Sequence, residues 1–289
     1  MVTLSPCPVC GAVAETVGTS LYRTSLNTWH PTIIVECHSC DIFIRVLQDS
    51  DRSGHFYAAS YVQPERDGTV WNERRQFLCS ILELANHHLP KSFLRLLDVG
   101  CSYGHLLELA RTKGIDAEGI EINKNLLALC EYKGLTVWPS LDSITRPADV
   151  ITLIDSLYYL PRPVESVCQL RTKLSSDGIM VIRVTNRNWF IRARATIVGK
   201  YDFEFLGDAE VGYSVRGISR LLEYAGFTVT AILPDSLTGR KLALKTRAIG
   251  VLTLVATNLT FRQRFLTPGV IVIARPTGRS VSSSISRVQ

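Results

Sequence analysis

Three groups of residues in this 289-residue chain have the types and spacing to do chemistry. The first is Asp98-Val99-Gly100-Cys101-Ser102-Tyr103-Gly104, which ends the apolar run made by Leu94, Leu96, Leu97 and Val99. Gly100 and Gly104 carry no Cβ, so the backbone can turn sharply there and approach a ligand closely. Glu121 closes the next apolar segment, where an acid can accept hydrogen bonds from both hydroxyls of a ribose. The glycines read G-x-x-x-G, not G-x-G-x-x-G. The loop therefore lacks the close-approach glycine that a pyrophosphate needs, and a nucleoside without that charged tail is the better ligand.

The second group is Cys7-Pro8-Val9-Cys10 and Cys37-His38-Ser39-Cys40, two C-x2-C pairs. Each pair can aim two thiolates at one ion, and together they complete a tetrahedron. Zinc suits four soft ligands and no redox task. With four thiolates the site is closed, so its role is structural. His30 and His38 read as solvated loop residues rather than ligands. Two disulfides or a redox C-x-x-C pair are the rival uses, the former disfavoured in a reducing compartment. Fewer than about 50 residues bury little surface, so a metal is expected to hold this unit together.

The third group is Asp155-Ser156-Leu157-Tyr158-Tyr159-Leu160-Pro161, at the end of the β-branched run 149–155. Asp155, Tyr158 and Tyr159 are the catalytic candidates, with His105 and Asn186 behind them. A tyrosine with a pKa near 10 is a poor base, so the tyrosines would orient an acceptor. Cys79, Cys130 and Cys168 fall in helical patterns, and Cys101 lies in the glycine turn.

The elements that position these groups alternate. A strand ends at Val99 and a helix follows over 105–113, with Leu106, Leu107, Leu109 and Ala110 inward and Gly114 as its stop. Strand 117–122, helix 126–133, strand 135–138, strand 149–155, helix 164–174, strand 178–185, helix 214–225 and strands 227–233 and 269–275 continue the pattern. Strand, glycine turn, helix, strand, acid is one nucleotide-binding half of a doubly wound α/β fold, which binds ligands where the strand order reverses. The ends of the first and fourth strands must meet at that point.

The stretch LLDVGCSYGHLLELARTKGIDAEGIEIN resembles motifs I and II of class I S-adenosylmethionine-dependent methyltransferases. The resemblance implies a Rossmann-like seven-stranded sheet, mostly parallel with the last strand antiparallel. It implies that Asp98, Gly100, Cys101, Ser102 and Gly104 hold the amino-acid end of S-adenosylmethionine and Glu121 and Ile122 its nucleoside. Ser140 and Leu141 would then lie by the adenine, and Asp155 and Ser156 would complete the pocket. With the cysteine pairs, a tyrosine-rich linker and the late LLEYAGF, the chain is similar to bacterial methyltransferases with an N-terminal zinc ribbon, associated with glycan and surface-polysaccharide synthesis. In those relatives the fourth strand ends in Asp-x-Leu-Glu-His-Leu. Tyr158 and Tyr159 stand at the Glu and His places, and Val211-Gly212-Tyr213 lacks the family's late His. A base carried by that His does not transfer to this chain.

Composition sets the outer bounds. An apolar share of 46% is ample for a folded core. The start is not that of a signal peptide and no apolar run reaches about 18 residues, which leads to the expectation of a cytoplasmic protein. The net charge of +6 is uneven: no acid follows Asp235, while nine arginines and lysines do. The expected organisation is a zinc ribbon over 1–48, a linker and helical cap over 49–92, a cofactor-binding domain over 93–276 with a basic, apolar insert at 236–267, and a disordered tail over 277–289. Tyr57, Tyr61, Trp71, Arg74, Arg75 and Phe77 would form the cap or pack the first helix. The insert would pack on the domain, with a peripheral membrane contact through 240–264 as its rival use.

The expected function is methyl transfer to a small-molecule acceptor, a sugar or glycan intermediate, free or lipid-linked. An RNA-directed enzyme gripping its substrate with the ribbon is one alternative. The Asn/Asp-Pro-Pro-Tyr/Phe turn and the Pro-Cys loop of base methylases are both missing, so a nucleic-acid partner is not expected. A cofactor-binding protein that has lost its base is the other alternative.

Overall fold

The computed structural model describes residues 6–23, 29–47, 68–89, 92, 94–160, 162–235, 267 and 269–278. The linker at 49–54, Tyr57, Tyr61, the insert at 236–266 and the tail from 279 on lie outside the described residues, as does the side chain of Trp71.

The larger of two sheets has seven strands. In chain order they are β4 (Arg95–Val99), β5 (Asp116–Ile120), β6 (Thr136–Trp138), β7 (Ala148–Ile154), β8 (Leu174–Thr185), β10 (Phe227–Asp235) and β11 (Gly269–Pro276). Their spatial order is β10-β11-β8-β7-β4-β5-β6. β4 runs parallel to β5 and β7, β5 to β6 and β7 to β8, while β11 lies antiparallel between β8 and β10. The order reverses between β4 and β7, so their C-terminal ends frame the crevice that the sequence predicts.

Residues alternate across each strand, and both faces are covered. On one face α1 (Gly68–His87) places Phe77, Leu78, Ile81, Leu82 and Ala85 against Leu96, Val150 and Val181. This face also takes Leu106, Leu109 and Ala110 of α2 (His105–Thr112). Phe77, a residue of the expected cap, is thus a packing residue. Asn123 caps α3 (Lys124–Tyr132), its Oδ1 accepting the amides of Asn125 and Leu126 at 3.0 and 3.1 Å, the usual service of an N-cap asparagine. On the other face α4 (Pro163–Arg171) and α6 (Val215–Tyr224) bury Val167, Leu170, Ile218, Leu221 and Leu222.

The N-terminal unit contains β1 (Glu15–Arg23), β2 (Trp29–Cys37) and β3 (Ile42–Val46), an antiparallel meander. A fourth strand, β9 (Val211–Tyr213), comes from far along the chain and pairs with β3, Ile42 opposite Tyr213 and Ile44 opposite Val211. α5 (Arg187–Val198), which the sequence reading missed, lies against the same sheet. Arg192 pairs with the buried Glu36 and, at 2.7 Å, with Asp41, while Asn188 donates to the Asp41 carbonyl at 2.8 Å. Arg45, 3% exposed, donates to the carbonyls of Leu21, Gly207 and Ala209 and, at 2.7 Å, to the Thr32 hydroxyl. Phe43 meets Tyr201 and Phe203 edge-on. The unit buries its surface on the larger domain.

Candidate functional site

Three acids converge at the C-terminal ends of three adjacent parallel strands. Asp98 is in β4, Glu121 follows β5 and Asp155 follows β7. Asp98 is 5% exposed, and its Oδ1 accepts the Thr152 hydroxyl at 2.7 Å. Burial pushes this carboxyl up to about 6, against the opposing pull of that hydrogen bond and of Arg74.

The loop after β4 is tied to the end of β5. The amides of Gly100 and Cys101 both donate to the Ile120 carbonyl, at 2.8 and 3.0 Å. Gly100 has φ +77°, and a Cβ there would fall 2.8 Å from that of Ser156. The Ser156 hydroxyl donates to the Val99 carbonyl at 2.7 Å, so loop and β7 end are in register. Ser102 takes up a left-handed φ of +53°, and its amide donates to Glu121 Oε2 at 2.9 Å. Glu121 Oε1 accepts the Asn123 amide at 2.8 Å. Burial raises the Glu121 carboxyl while the amides of Asn123, Ser102 and Ile122 lower it, the former prevailing. Ile122 beside it is 47% exposed. Ser140 is exposed and leads into a 3-10 turn, Leu141–Ser143, with Leu141 half-buried.

Gly104 is where packing, not ligand approach, demands a glycine. Its φ is +75°, and a Cβ would lie 2.4 Å from Leu135 Cδ1 and 3.0 Å from Cys130 Sγ. Cys101 and Cys130 are core residues beside Leu107 and Val137, with Cys130 donating to the Ser102 carbonyl.

On the opposite flank Asp155 also has a left-handed φ, +59°. Its amide donates to the Arg183 carbonyl at 2.9 Å and its Oδ1 pairs with Arg183 Nη1. Arg183 Nε in turn holds Asp235 at 2.8 Å. One buried guanidinium thus ties together the ends of β7, β8 and β10. Sequence reasoning missed Arg183, although a cation inside the apolar run Ile179-Met180-Val181-Ile182-Arg183-Val184 was a visible anomaly.

The tyrosines separate. Tyr158 is 5% exposed and belongs to the apolar core; the Arg187 guanidinium lies 5.0 Å from its ring centroid, and burial pushes its phenol well up. It faces the packing between the two sheets, not open solvent. Tyr159, half-buried, packs edge-on against it at 4.7 Å. His105 stacks on Tyr103 at 5.7 Å, and Asn186, 4% exposed, donates to the Thr267 carbonyl at 3.2 Å.

The four cysteines form a second centre. Their sulfurs all lie within 4.8 Å of one another, with Cys10 and Cys37 at 3.6 Å. Sulfurs bound at about 2.3 Å around a tetrahedral ion stand about 3.8 Å apart, so the cluster is compatible with a metal ion after small adjustment. The two turns are equivalent: Gly11 after Cys10 has φ +72° and Asp41 after Cys40 has φ +56°. His38 is 63% exposed and pairs with Glu15 and Glu36, away from the sulfurs.

Residues 70–232, just over half of the chain, match the family model described as "Methyltransferase domain". Among curated proteins, the "Ubiquinone biosynthesis O-methyltransferase" of Photobacterium profundum is 26% identical over 105 residues, 32% of this chain and 45% of that protein. The protein of the same name from Burkholderia thailandensis is 26% identical over 167 residues, covering 50% of this chain and 71% of its own. The chain thus spans less than half of the first relative's length. Among solved structures, the plantazolicin methyltransferase BamL, in complex with a triazolic desmethylPZN analog and SAH, has a TM-score of 0.50 at 14% identity over 71% of this chain and 85% of that one. A S-adenosylmethionine-dependent methyltransferase from Clostridium acetobutylicum ATCC 824 has a TM-score of 0.50 at 13% identity, over 71% and 92%. At these identities the likeness is one of fold. Among the described residues no helix is long and apolar enough to cross a membrane.

Proposed function

The chain belongs to the methyltransferase-domain family, and on that premise we propose that it transfers a methyl group from S-adenosylmethionine to an oxygen of a small molecule. The observation that carries this reading is the convergence of Asp98, Glu121 and Asp155 at the mouth of β4, β5 and β7. When bound, the cofactor supplies an electrophilic methyl group on a positively charged sulfur.

The chain's residues fit such a ligand. Glu121 keeps lone pairs beyond those given to the neighbouring amides and accepts the ribose hydroxyls. Ile122, an exposed aliphatic side chain beside it, and Leu141 after Ser140 cover the flat face of an adenine. Asp98 has one hydroxyl partner and an elevated pKa, so a ligand ammonium would hold it ionised. Gly100, Cys101, Ser102 and Ser156 form the wall between them, and Gly104 supports that wall from behind.

Asp155 is the proposed proton acceptor. Its side chain keeps 27% of its surface exposed while Arg183 fixes one oxygen. The acceptor oxygen forms its bond to the methyl carbon as the carbon–sulfur bond breaks, and its proton passes to the Asp155 carboxylate or on to water. A carboxylate is a weak base, better matched to a phenol-like hydroxyl, of pKa near 10, than to a sugar hydroxyl. The O-methyltransferase relatives agree with an oxygen acceptor, whereas the glycan and lipid-linked acceptors implied by the family resemblance gain no support from them. Tyr159 is proposed to orient the acceptor.

The cysteine cluster is proposed as a structural zinc site with Cys7, Cys10, Cys37 and Cys40 as ligands, fastened to the larger domain through Asp41. Transfer of labelled methyl to a panel of phenols and sugars tests the main reading. Turnover on a phenol that Asp155→Asn abolishes, with cofactor affinity kept, supports it; turnover on sugars alone overturns the acceptor class. Tight cofactor binding with no turnover on any acceptor would point to the lapsed relative, a reading that the burial of Tyr158 favours.

A further inference from the structure

One wall of the cysteine cluster is built by the methyltransferase body. Tyr213 in β9 stands opposite Ile42, two residues after Cys40. Gly217, in the first turn of α6, sits so close that a Cβ there would lie 3.0 Å from the Cys40 carbonyl oxygen and 2.3 Å from Ile42 Cγ2. Tyr213 shares the core with Cys7, Cys37 and Cys40 and is 2% exposed. Its hydroxyl is buried and, among the described residues, has no hydrogen-bond partner.

A buried hydroxyl without a partner is costly and calls for an explanation. Burial raises this phenol, and ionisation of Cys7, Glu210 or Cys40 would raise it further, so these groups are its electrostatic neighbours. A thiol sulfur is a weak acceptor. Four thiolates on a divalent ion carry a net charge of −2, and a hydrogen bond to an ionised acceptor is about twice as strong as a neutral one.

We propose that Tyr213 donates its phenolic hydrogen to a metal-bound thiolate, Cys7 or Cys40, so that metal occupancy locks β9 onto the N-terminal sheet. This rests on the reading of the four cysteines as a metal site. The lock reaches the crevice by a short route. Glu210, immediately before β9, donates its amide to the Tyr158 carbonyl at 3.0 Å, and Tyr158 lies in the turn that begins at Asp155. The metal then acts on the methyl-transfer site by fixing a turn, without touching a reacting atom.

The test compares the full chain with its Tyr213→Phe variant, loaded with Zn2+ or Co2+ and stripped of metal. Tyr224→Phe, at a site 46% exposed on α6, is the control. Removing a hydrogen-bond partner of a metal ligand typically costs about 10- to 100-fold in metal affinity. Tyr213→Phe should therefore lose roughly 10-fold in affinity in competition with a chelator, and its Co2+–thiolate charge-transfer band should shift. The stripped variant should be at least as stable to denaturant as the stripped wild type, since it no longer strands a hydroxyl. Equal affinity with an unshifted band overturns the role of Tyr213 and leaves the metal site standing. A stripped variant less stable than stripped wild type also overturns it, because the hydroxyl would then serve the fold itself. A wild-type chain that takes up neither ion overturns the metal reading and this proposal with it.

Discussion

Glu121 Oε2 accepts the amide of Ser102 at 2.9 Å, so the acid that ends one strand organises the turn that ends its neighbour. Its other oxygen is held by the Asn123 amide at 2.8 Å. Glu121→Ala frees both amides and removes the proposed ribose contact. A hydrogen bond to a charged group is worth about 1.5–3 kcal/mol, so calorimetry should show cofactor affinity reduced by roughly 10- to 100-fold. Glu121→Gln should also lose affinity, because one of the two amides would face its NH2. Unchanged affinity in both variants refutes the cofactor site.

Asp98 sets a pH dependence. Burial lifts its carboxyl from 3.8 to about 6, so between these values the folded chain holds a proton that the unfolded chain has released. The stability it contributes is complete below 3.8 and is lost as pH rises through about 6. At about 1.36 kcal/mol per pH unit the loss is roughly 3 kcal/mol. Ligand-free Asp98→Asn should therefore be more stable than wild type at pH 8 and similar to it at pH 4, as thermal scans at the two values can check. Wild-type affinity for a cationic ligand should fall as pH drops through about 6.

Arg183 joins Asp155 to Asp235, and its side chain is 7% exposed. Arg183→Met takes the guanidinium away from the buried Asp235 carboxylate, and breaking such a buried pair costs about 3–5 kcal/mol. Urea unfolding should show that loss, and Arg183→Met with Asp235→Asn should regain part of it. If the single variant unfolds at the wild-type midpoint, the guanidinium is not the tie described above.

Two left-handed glycines separate backbone strain from crowding. A Cβ at Gly114, φ +73°, meets nothing within 4 Å, whereas one at Gly104, φ +75°, runs into Leu135 and Cys130. The left-handed conformation alone costs about 1–2 kcal/mol, and overpacking adds about 1–3 kcal/mol. Gly114→Ala should lower stability by the first amount and Gly104→Ala by the sum of both. Equal losses in denaturant unfolding would mean that Leu135 and Cys130 yield without cost.

The sequence determined what is local. Gly100, Gly104 and Gly114 mark turns because backbone at positive φ excludes most other residues, and the apolar periods of α2, β4 and β7 follow from side-chain geometry along a single element. Four cysteines in two short pairs announced their cluster in the same way. Tertiary structure decided the rest, where the partners lie far apart in the chain. Ile42 pairs with Tyr213, and Arg183 meets both Asp155 and Asp235, through contacts that no local pattern encodes. Tyr158 and Tyr159 are neighbours of one type, yet Tyr158 is in the core beneath Arg187 and Tyr159 is half-buried. What packs against a side chain, not its place in a motif, sets whether it can meet a ligand.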